Sequence, residues 1–204
     1  MSRTIRQIFP TSIAEGRLPV AAALNRELLR DIAGFMADDL AGKAWSKKHY
    51  RGGYTSYASL DDMHRRTPSC GRLEALLLPH AKAYARALGW SLKGRRLRMT
   101  TCWINIMPRH TYHTLHLHPH ADISGTYYVV TPPGSVPLRL EDPRMGFYMH
   151  APPRMAGRKQ DGAYVDIPPR AGAFVLFESW LRHTVPPNGS RQPRVSVSFN
   201  YSLE

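Results

Sequence analysis

Five of the chain's ten histidines, His110, His113, His116, His118 and His120, fall within one short stretch. His116, His118, His120 and Asp122 are spaced two apart, and Leu115 and Leu117 occupy the alternate positions. On a β-strand this alternation sends the imidazoles to one face and the leucines to the other. Two rings that point the same way can share one ion, so His116-x-His118 is a candidate metal-binding element. Pro119 should end the strand, which leaves His120 and Asp122 less directly aligned. A further ligand has to come from a distant segment. His183 is the candidate, because it follows the apolar run Ala173–Phe177 after Glu178-Ser179-Trp180-Leu181-Arg182.

A second chemical feature lies beyond it. Arg194, Ser196, Ser198 and Asn200 alternate with Val195, Val197, Phe199 and Tyr201, the pattern of a strand with one polar and one apolar face. A guanidinium at the end of such a polar face can grip a carboxylate through two parallel hydrogen bonds. Coming soon after His183, it suggests that a carboxylic acid is bound beside the metal.

The remaining elements must position these groups. Leu24, Leu28, Leu29, Ile32, Phe35, Met36 and Leu40 recur with helical period, and Asn25 is a plausible N-cap. A second helix is expected after Ser69, running through Leu73, Leu76, Leu77, Tyr84 and Leu88 to Gly89, with a kink or break at Pro79. Between them, Tyr50-Arg51-Gly52-Gly53-Tyr54-Thr55-Ser56 reads as a loop with unusual backbone angles, polar enough to be either surface or site. From Arg98 onward short strands dominate: Arg98–Met107, the histidine strand, Thr126–Val130, Pro137–Leu140, Ala173–Phe177 and Arg194–Tyr201. Pro143 to Pro169 is rich in Pro, Gly, Met and Arg, and is expected to be a long irregular excursion that either covers a site or is mobile. Helices first and strands afterwards predict one α+β domain over 1–204. Residues 1–95 would be mainly helical support, and 96–204 a β-sandwich or barrel.

Composition narrows the function classes. The formal net charge is +13, so an anionic partner is expected: an acidic peptide or protein, or nucleic acid. No zinc-finger, RNP-type or helix-turn-helix signature accompanies that charge. The two cysteines, Cys70 and Cys102, form no CxxC pair, which predicts a reducing compartment, and no apolar run approaches a membrane span. The cytoplasm is the expected location, and nothing in the chain encodes an oligomeric state.

Several segments together resemble a known family. They are His116-x-His118, Ser124-Gly125-Thr126-Tyr127-Tyr128-Val129, Asp142-Pro143-Arg144, Phe177-Glu178-Ser179-Trp180-Leu181-x-His183-x-Val185 and Arg194-x-Ser196-x-Ser198-Phe199-Asn200. Trp103-Ile104-Asn105 and Gly52-Gly53-Tyr54-Thr55-Ser56 extend the likeness towards the N-terminus. In order and spacing they look like the 2OG-Fe(II) oxygenases of bacteria and phages, relatives of the prolyl hydroxylases. The resemblance implies a double-stranded β-helix (jelly-roll) core on N-terminal supporting helices. It also implies Fe(II), O2, 2-oxoglutarate as co-substrate and hydroxylation of an unactivated carbon, with a peptide or protein side chain as the expected substrate. By the same resemblance His116 and His183 are metal ligands, and His118 stands where the wider superfamily has a carboxylate. Arg194 would bind the distal carboxylate of 2-oxoglutarate, with Tyr127 or Tyr128, Asn105 and Ser196 in the same pocket. Asp122 is the alternative to His118 if the backbone bends after Pro119. Three neutral histidines also suit Zn(II). The competing reading is a cupin-like metal-binding protein with no need of 2-oxoglutarate.

Overall fold

The computed structural model describes every residue except 1, 2, 7, 145, 147, 148, 151 and 153–161. The N-terminal part is strand β1 (Ile13–Arg17), then helices α1 (Ala21–Asp38) and α2 (Leu40–His49), strand β2 (Tyr54–Thr55), and helices α3 (Met63–Arg66) and α4 (Pro68–Ala87). The strands β3 (Leu97–Met107), β4 (His113–His116), β5 (Ile123–Val130), β6 (Leu138–Glu141) and β7 (Tyr164–Ile167) follow. Strands β8 (Ala173–Glu178), β9 (His183–Val185) and β10 (Arg194–Leu203) complete the chain.

Both long helices form where apolar period requires, though their starts differ from expectation. α1 begins at Ala21, so Asn25 is not its cap. The Asn25 side chain instead donates to the Val129 carbonyl at 2.9 Å and accepts from the Tyr127 hydroxyl at 2.6 Å, tying α1 to β5. α4 is capped by the Thr67 hydroxyl, which accepts from the Cys70 amide at 3.0 Å, and Pro68 occupies its first turn. Of the kink or break expected at Pro79, the break does not occur: α4 continues through it as one helix. Leu73, Leu77, Ala81 and Tyr84 are buried on one face across that point, and their packing outweighs the roughly 3 kcal/mol cost of an interior proline.

The strands form two antiparallel sheets, ordered β1-β8-β5-β10-β3-β2 and β4-β9-β6-β7. Alternation in β10 decides what lies on each side of the larger sheet. Val197, Phe199 and Tyr201 join Leu24, Leu28, Leu73 and Leu77 in a core beneath the helices. A second core, with Phe177, Met107 and Val175 packed with Leu138, Leu140 and Val185, joins the two sheets. Each such side chain, fully buried, stabilises the fold by roughly 1.5–3 kcal/mol, so both faces of the central strands are firmly held. The polar face of β10 therefore lies inside the molecule, between the sheets.

Tyr164–Ile167, expected within the irregular excursion, is a strand paired with β6, Leu138 opposite Ile167. Most of the rest of that excursion lies outside the described residues. Cys70 and Cys102 are free and buried. Among the described residues no helix is long and apolar enough to cross a membrane.

Candidate functional site

β4 and β9 are antiparallel neighbours, and His116 and His183 are direct partners across them. Their ring centroids lie 4.3 Å apart. His118 stands two residues beyond β4, tethered where its amide donates to the Ser179 carbonyl at 3.0 Å. Its ring centroid is 5.3 Å from that of His116 and 4.9 Å from that of His183. One ligand atom from each of the three residues lies within 4.8 Å of the others, so the trio could hold one metal ion.

Each imidazole is oriented through Nδ1. His116 Nδ1 lies 2.6 Å from the Thr114 carbonyl oxygen, and His183 Nδ1 lies 2.9 Å from that of Leu181. A carbonyl only accepts, so both Nδ1 atoms carry the proton and Nε2 keeps its lone pair. His118 Nδ1 lies 2.7 Å from Asn200 Oδ1, and the Asn200 amide nitrogen donates to the Thr101 hydroxyl at 2.9 Å, which fixes the side chain's direction. All three rings thus present Nε2, as partners behind metal-bound histidines arrange. Burial, with the neighbouring imidazoles, pushes His183 down to about 2. Burial likewise brings His118 to about 4, and it lowers His116. The donor set is neutral at neutral pH, as ligation requires.

Asp122 is not in this cluster. His120 has a left-handed backbone (φ 63°), and the chain swings out there. The Asp122 carboxylate then accepts from the Leu203 amide at 2.7 Å, closing the end of the large sheet. His118, and not Asp122, is the third member of the cluster with His116 and His183.

Arg194 is 2 % exposed, yet among the described residues no carboxylate pairs with it. Its Nη1 contacts Met107 Sδ at 3.2 Å, its guanidinium carbon lies 5.0 Å from the Tyr128 ring centre, and its Nε has no hydrogen-bond partner. A buried, unpaired cation is costly, and an anion drawn in beside it removes that cost. Asn105 Oδ1 and the Tyr128 hydroxyl are also buried without a well-formed hydrogen bond. One recess joins Arg194, Asn105 and Ser196 to His116, His118 and His183. The orphaned donors of Arg194 and Tyr128 fit a carboxylate-bearing ligand reaching from Arg194 to a metal, whereas the orphaned Asn105 oxygen needs a donor that a carboxylate does not offer.

Tyr127 does not belong here. It alternates with Tyr128 on β5, so its side chain faces α1, where its hydroxyl bonds to Asn25. Tyr50 and His113, named in the sequence but given no role there, join the site: His113 lines the same recess, and Tyr50 is its partner. The Tyr50 hydroxyl lies 2.9 Å from His113 Nε2, with the rings stacked at 4.6 Å. Arg194 acts electrostatically on both. Tyr50 follows α2, whose N-cap Asp39 accepts from the Gly42 amide and from the Tyr54 and Ser59 hydroxyls at 2.7–2.8 Å. That hub folds the glycine-containing loop back towards the site.

Residues 101–200 match the model of a family described as "Putative 2OG-Fe(II) oxygenase". No curated protein matches the chain. Among solved structures, a prolyl-4-hydroxylase from Pseudomonas putida is similar over 94 % of this chain and 92 % of its own, at 20 % identity and a TM-score of 0.62. The non-heme alpha ketoglutarate dependent epimerase SnoN from nogalamycin biosynthesis is similar over 94 % and 76 %, at 14 % identity and TM-score 0.67. HygX from Streptomyces hygroscopicus, solved with nickel and 2-oxoglutarate, is similar over 94 % and 83 %, at 12 % identity and TM-score 0.63. These likenesses identify the two-sheet core as a double-stranded β-helix. Through residues 101–200, which hold the three imidazoles and the arginine, the chain belongs to the 2OG-Fe(II) oxygenase family, and it is an enzyme using Fe(II) and 2-oxoglutarate.

Proposed function

We propose that His116, His118 and His183 hold the iron, that Arg194 seats the distal carboxylate of 2-oxoglutarate, and that the enzyme hydroxylates an unactivated carbon of a peptide side chain. The observation that carries this is the buried guanidinium without a counter-ion, facing one recess with three Nδ1-anchored imidazoles. The three imidazoles would hold the iron at one end of the recess that continues to Arg194. Bound iron supplies the O2 chemistry: one oxygen atom goes to the substrate as hydroxyl and the other to succinate, with CO2 released. The protein's own groups bind and orient. Arg194 fixes the far end of the oxoacid, Tyr128 and Ser196 stand beside it, and Asn105 offers an unsatisfied carbonyl to the same recess. The peptide reading is supported by the likeness to a prolyl-4-hydroxylase. A cupin-like binding protein leaves Arg194 unexplained. We take residues 1–204 as one domain, and two unpaired cysteines favour the cytoplasm.

Anaerobic titration of Fe(II) and 2-oxoglutarate, followed by the visible charge-transfer band, tests the assignment. His183→Ala should abolish iron binding, whereas Arg194→Ala should weaken 2-oxoglutarate binding and leave the metal in place. If both variants convert 2-oxoglutarate to succinate at the wild-type rate, the assignment is wrong.

A further inference from the structure

His116 also borders a second, wider cleft of about 380 Å³. Trp45, Tyr57, Trp103 and Tyr112 give it aromatic walls, and Lys48 and Arg51 add two cations. None of its lining residues is an aspartate or glutamate. Lys48 and Arg51 are exposed, and among the described residues neither makes an ion pair, so both charges are available to a ligand. The inner end is closed by Trp103, whose ring centre lies 5.5 Å from that of His118. A molecule in this cleft would meet His116, the one of the three imidazoles that lines both the cleft and the inner recess.

A third feature concerns the backbone. β4 contributes His113, Thr114 and His116 to the cleft, and among the described residues it is the edge strand of its sheet, paired only with β9. An edge strand presents unpaired amides and carbonyls, to which an extended peptide can add as a further strand. Strand addition supplies affinity without sequence preference, and charges placed around it supply the preference.

We propose that this cleft is the prime-substrate site and that it selects an extended acidic peptide, whose carboxylates flank the target residue and meet Lys48 and Arg51. The proposal rests on the iron centre assigned above. The aromatic walls take the target side chain, while the two cations and the absence of any acid repel basic sequences. Nucleic acid fits less well. Tight phosphate-backbone binding uses about 6–10 cationic contacts along a track, whereas this cleft offers two and a strand edge suited to peptide backbone.

The test uses the full-length protein loaded anaerobically with Fe(II) and 2-oxoglutarate. The probes are three fluorescent peptide pools, identical except for fixed Glu, Gln or Lys on both sides of a randomised centre, and a single-stranded oligonucleotide. Fluorescence anisotropy should show the Glu pool binding at least tenfold tighter than the Gln pool, with the advantage shrinking as salt rises. The double variant Lys48→Glu/Arg51→Glu should lose that advantage and favour the Lys pool. Both positions are exposed, so the variant should fold, and circular dichroism confirms it. Equal binding of the Glu and Gln pools, an unchanged preference in the double variant, or tighter binding of the oligonucleotide than of any peptide would each overturn the proposal. The charge-transfer band recorded in the same samples keeps the two assignments apart. Its absence from the wild type defeats the iron centre, whereas its presence without peptide preference defeats only the acidic-peptide cleft.

Discussion

Asn200 Oδ1 lies 2.7 Å from His118 Nδ1 although 82 residues separate the two in the chain. The same oxygen accepts from the Ser124 hydroxyl at 2.8 Å, and that hydroxyl lies 2.8 Å from the hydroxyl of Ser179. β10, β5 and the segment before β9 thus converge behind one imidazole. His118 lies beyond the end of its strand, so this network fixes the ring more than the β4–β9 pairing does.

Asn200→Ala should therefore lower metal affinity by about 10–100-fold, the usual loss when the partner behind a metal-bound histidine is removed. Asn200→Asp keeps an acceptor for Nδ1 and should recover most of the affinity. Anaerobic Fe(II) titrations of the two variants check this. Equal weakening in both would mean that Asn200 acts on packing and not on the ring's orientation.

Arg194→Lys separates charge from geometry. Lysine keeps the cation but loses the planar fork that meets a carboxylate with two parallel bonds. The KM for 2-oxoglutarate should rise roughly tenfold or more, about 1.4 kcal/mol, with the metal dissociation constant unchanged. Steady-state succinate formation at fixed iron gives the first quantity, and metal titration the second.

The extent to which this site was legible in the sequence follows from the kind of signal each residue carries. Arg194 sits on a strand with plain sequence alternation, so its face could be assigned from spacing, whereas the irregularity in β4 between His113 and His116 puts both in one recess despite their odd separation. Tyr127 and Tyr128 are adjacent and equivalent in type, and only the burial of α1 against β5 decides that Tyr127 faces away. Asp122 held the two-residue spacing on paper, but the left-handed turn at His120 broke it, and φ at a histidine cannot be read from spacing. The short strands β1, β2 and β9 escaped detection because their pairing is set by partners far along the chain. Tyr50 carried no periodic signal, since it caps a helix rather than lying within an amphipathic one.

Tyr50→Phe removes one hydroxyl whose partner is His113 Nε2. A net hydrogen bond of this kind contributes about 1 kcal/mol, and chemical denaturation should show a loss of that order. Because Tyr50 and His113 both feel Arg194, the variant should also raise the KM for 2-oxoglutarate a few-fold while leaving metal affinity near wild type. A stability loss with no change in KM would place the pair outside the co-substrate pocket.

The buried imidazoles make the metal-free protein acid-sensitive. Burial holds His183 at about 2 and His118 at about 4, against an ordinary value of 6.5. Near pH 5 the unfolded chain binds protons at these positions and the folded chain does not, so stability falls as pH drops below 6.5 and continues to fall towards the folded values. Each such group contributes at most about 1.4 kcal/mol per pH unit in that window. In the presence of a chelator, urea denaturation between pH 7 and 4.5 should therefore show a steep loss, and His183→Gln should make the slope shallower by about that amount. Because the slope is compared and not the absolute stability, a variant that starts less stable remains informative. Loading with Mn(II) should raise stability at pH 7 and steepen the fall, because protons then compete with the metal for Nε2. A slope identical in wild type and His183→Gln would show that His183 is already protonated in the folded protein.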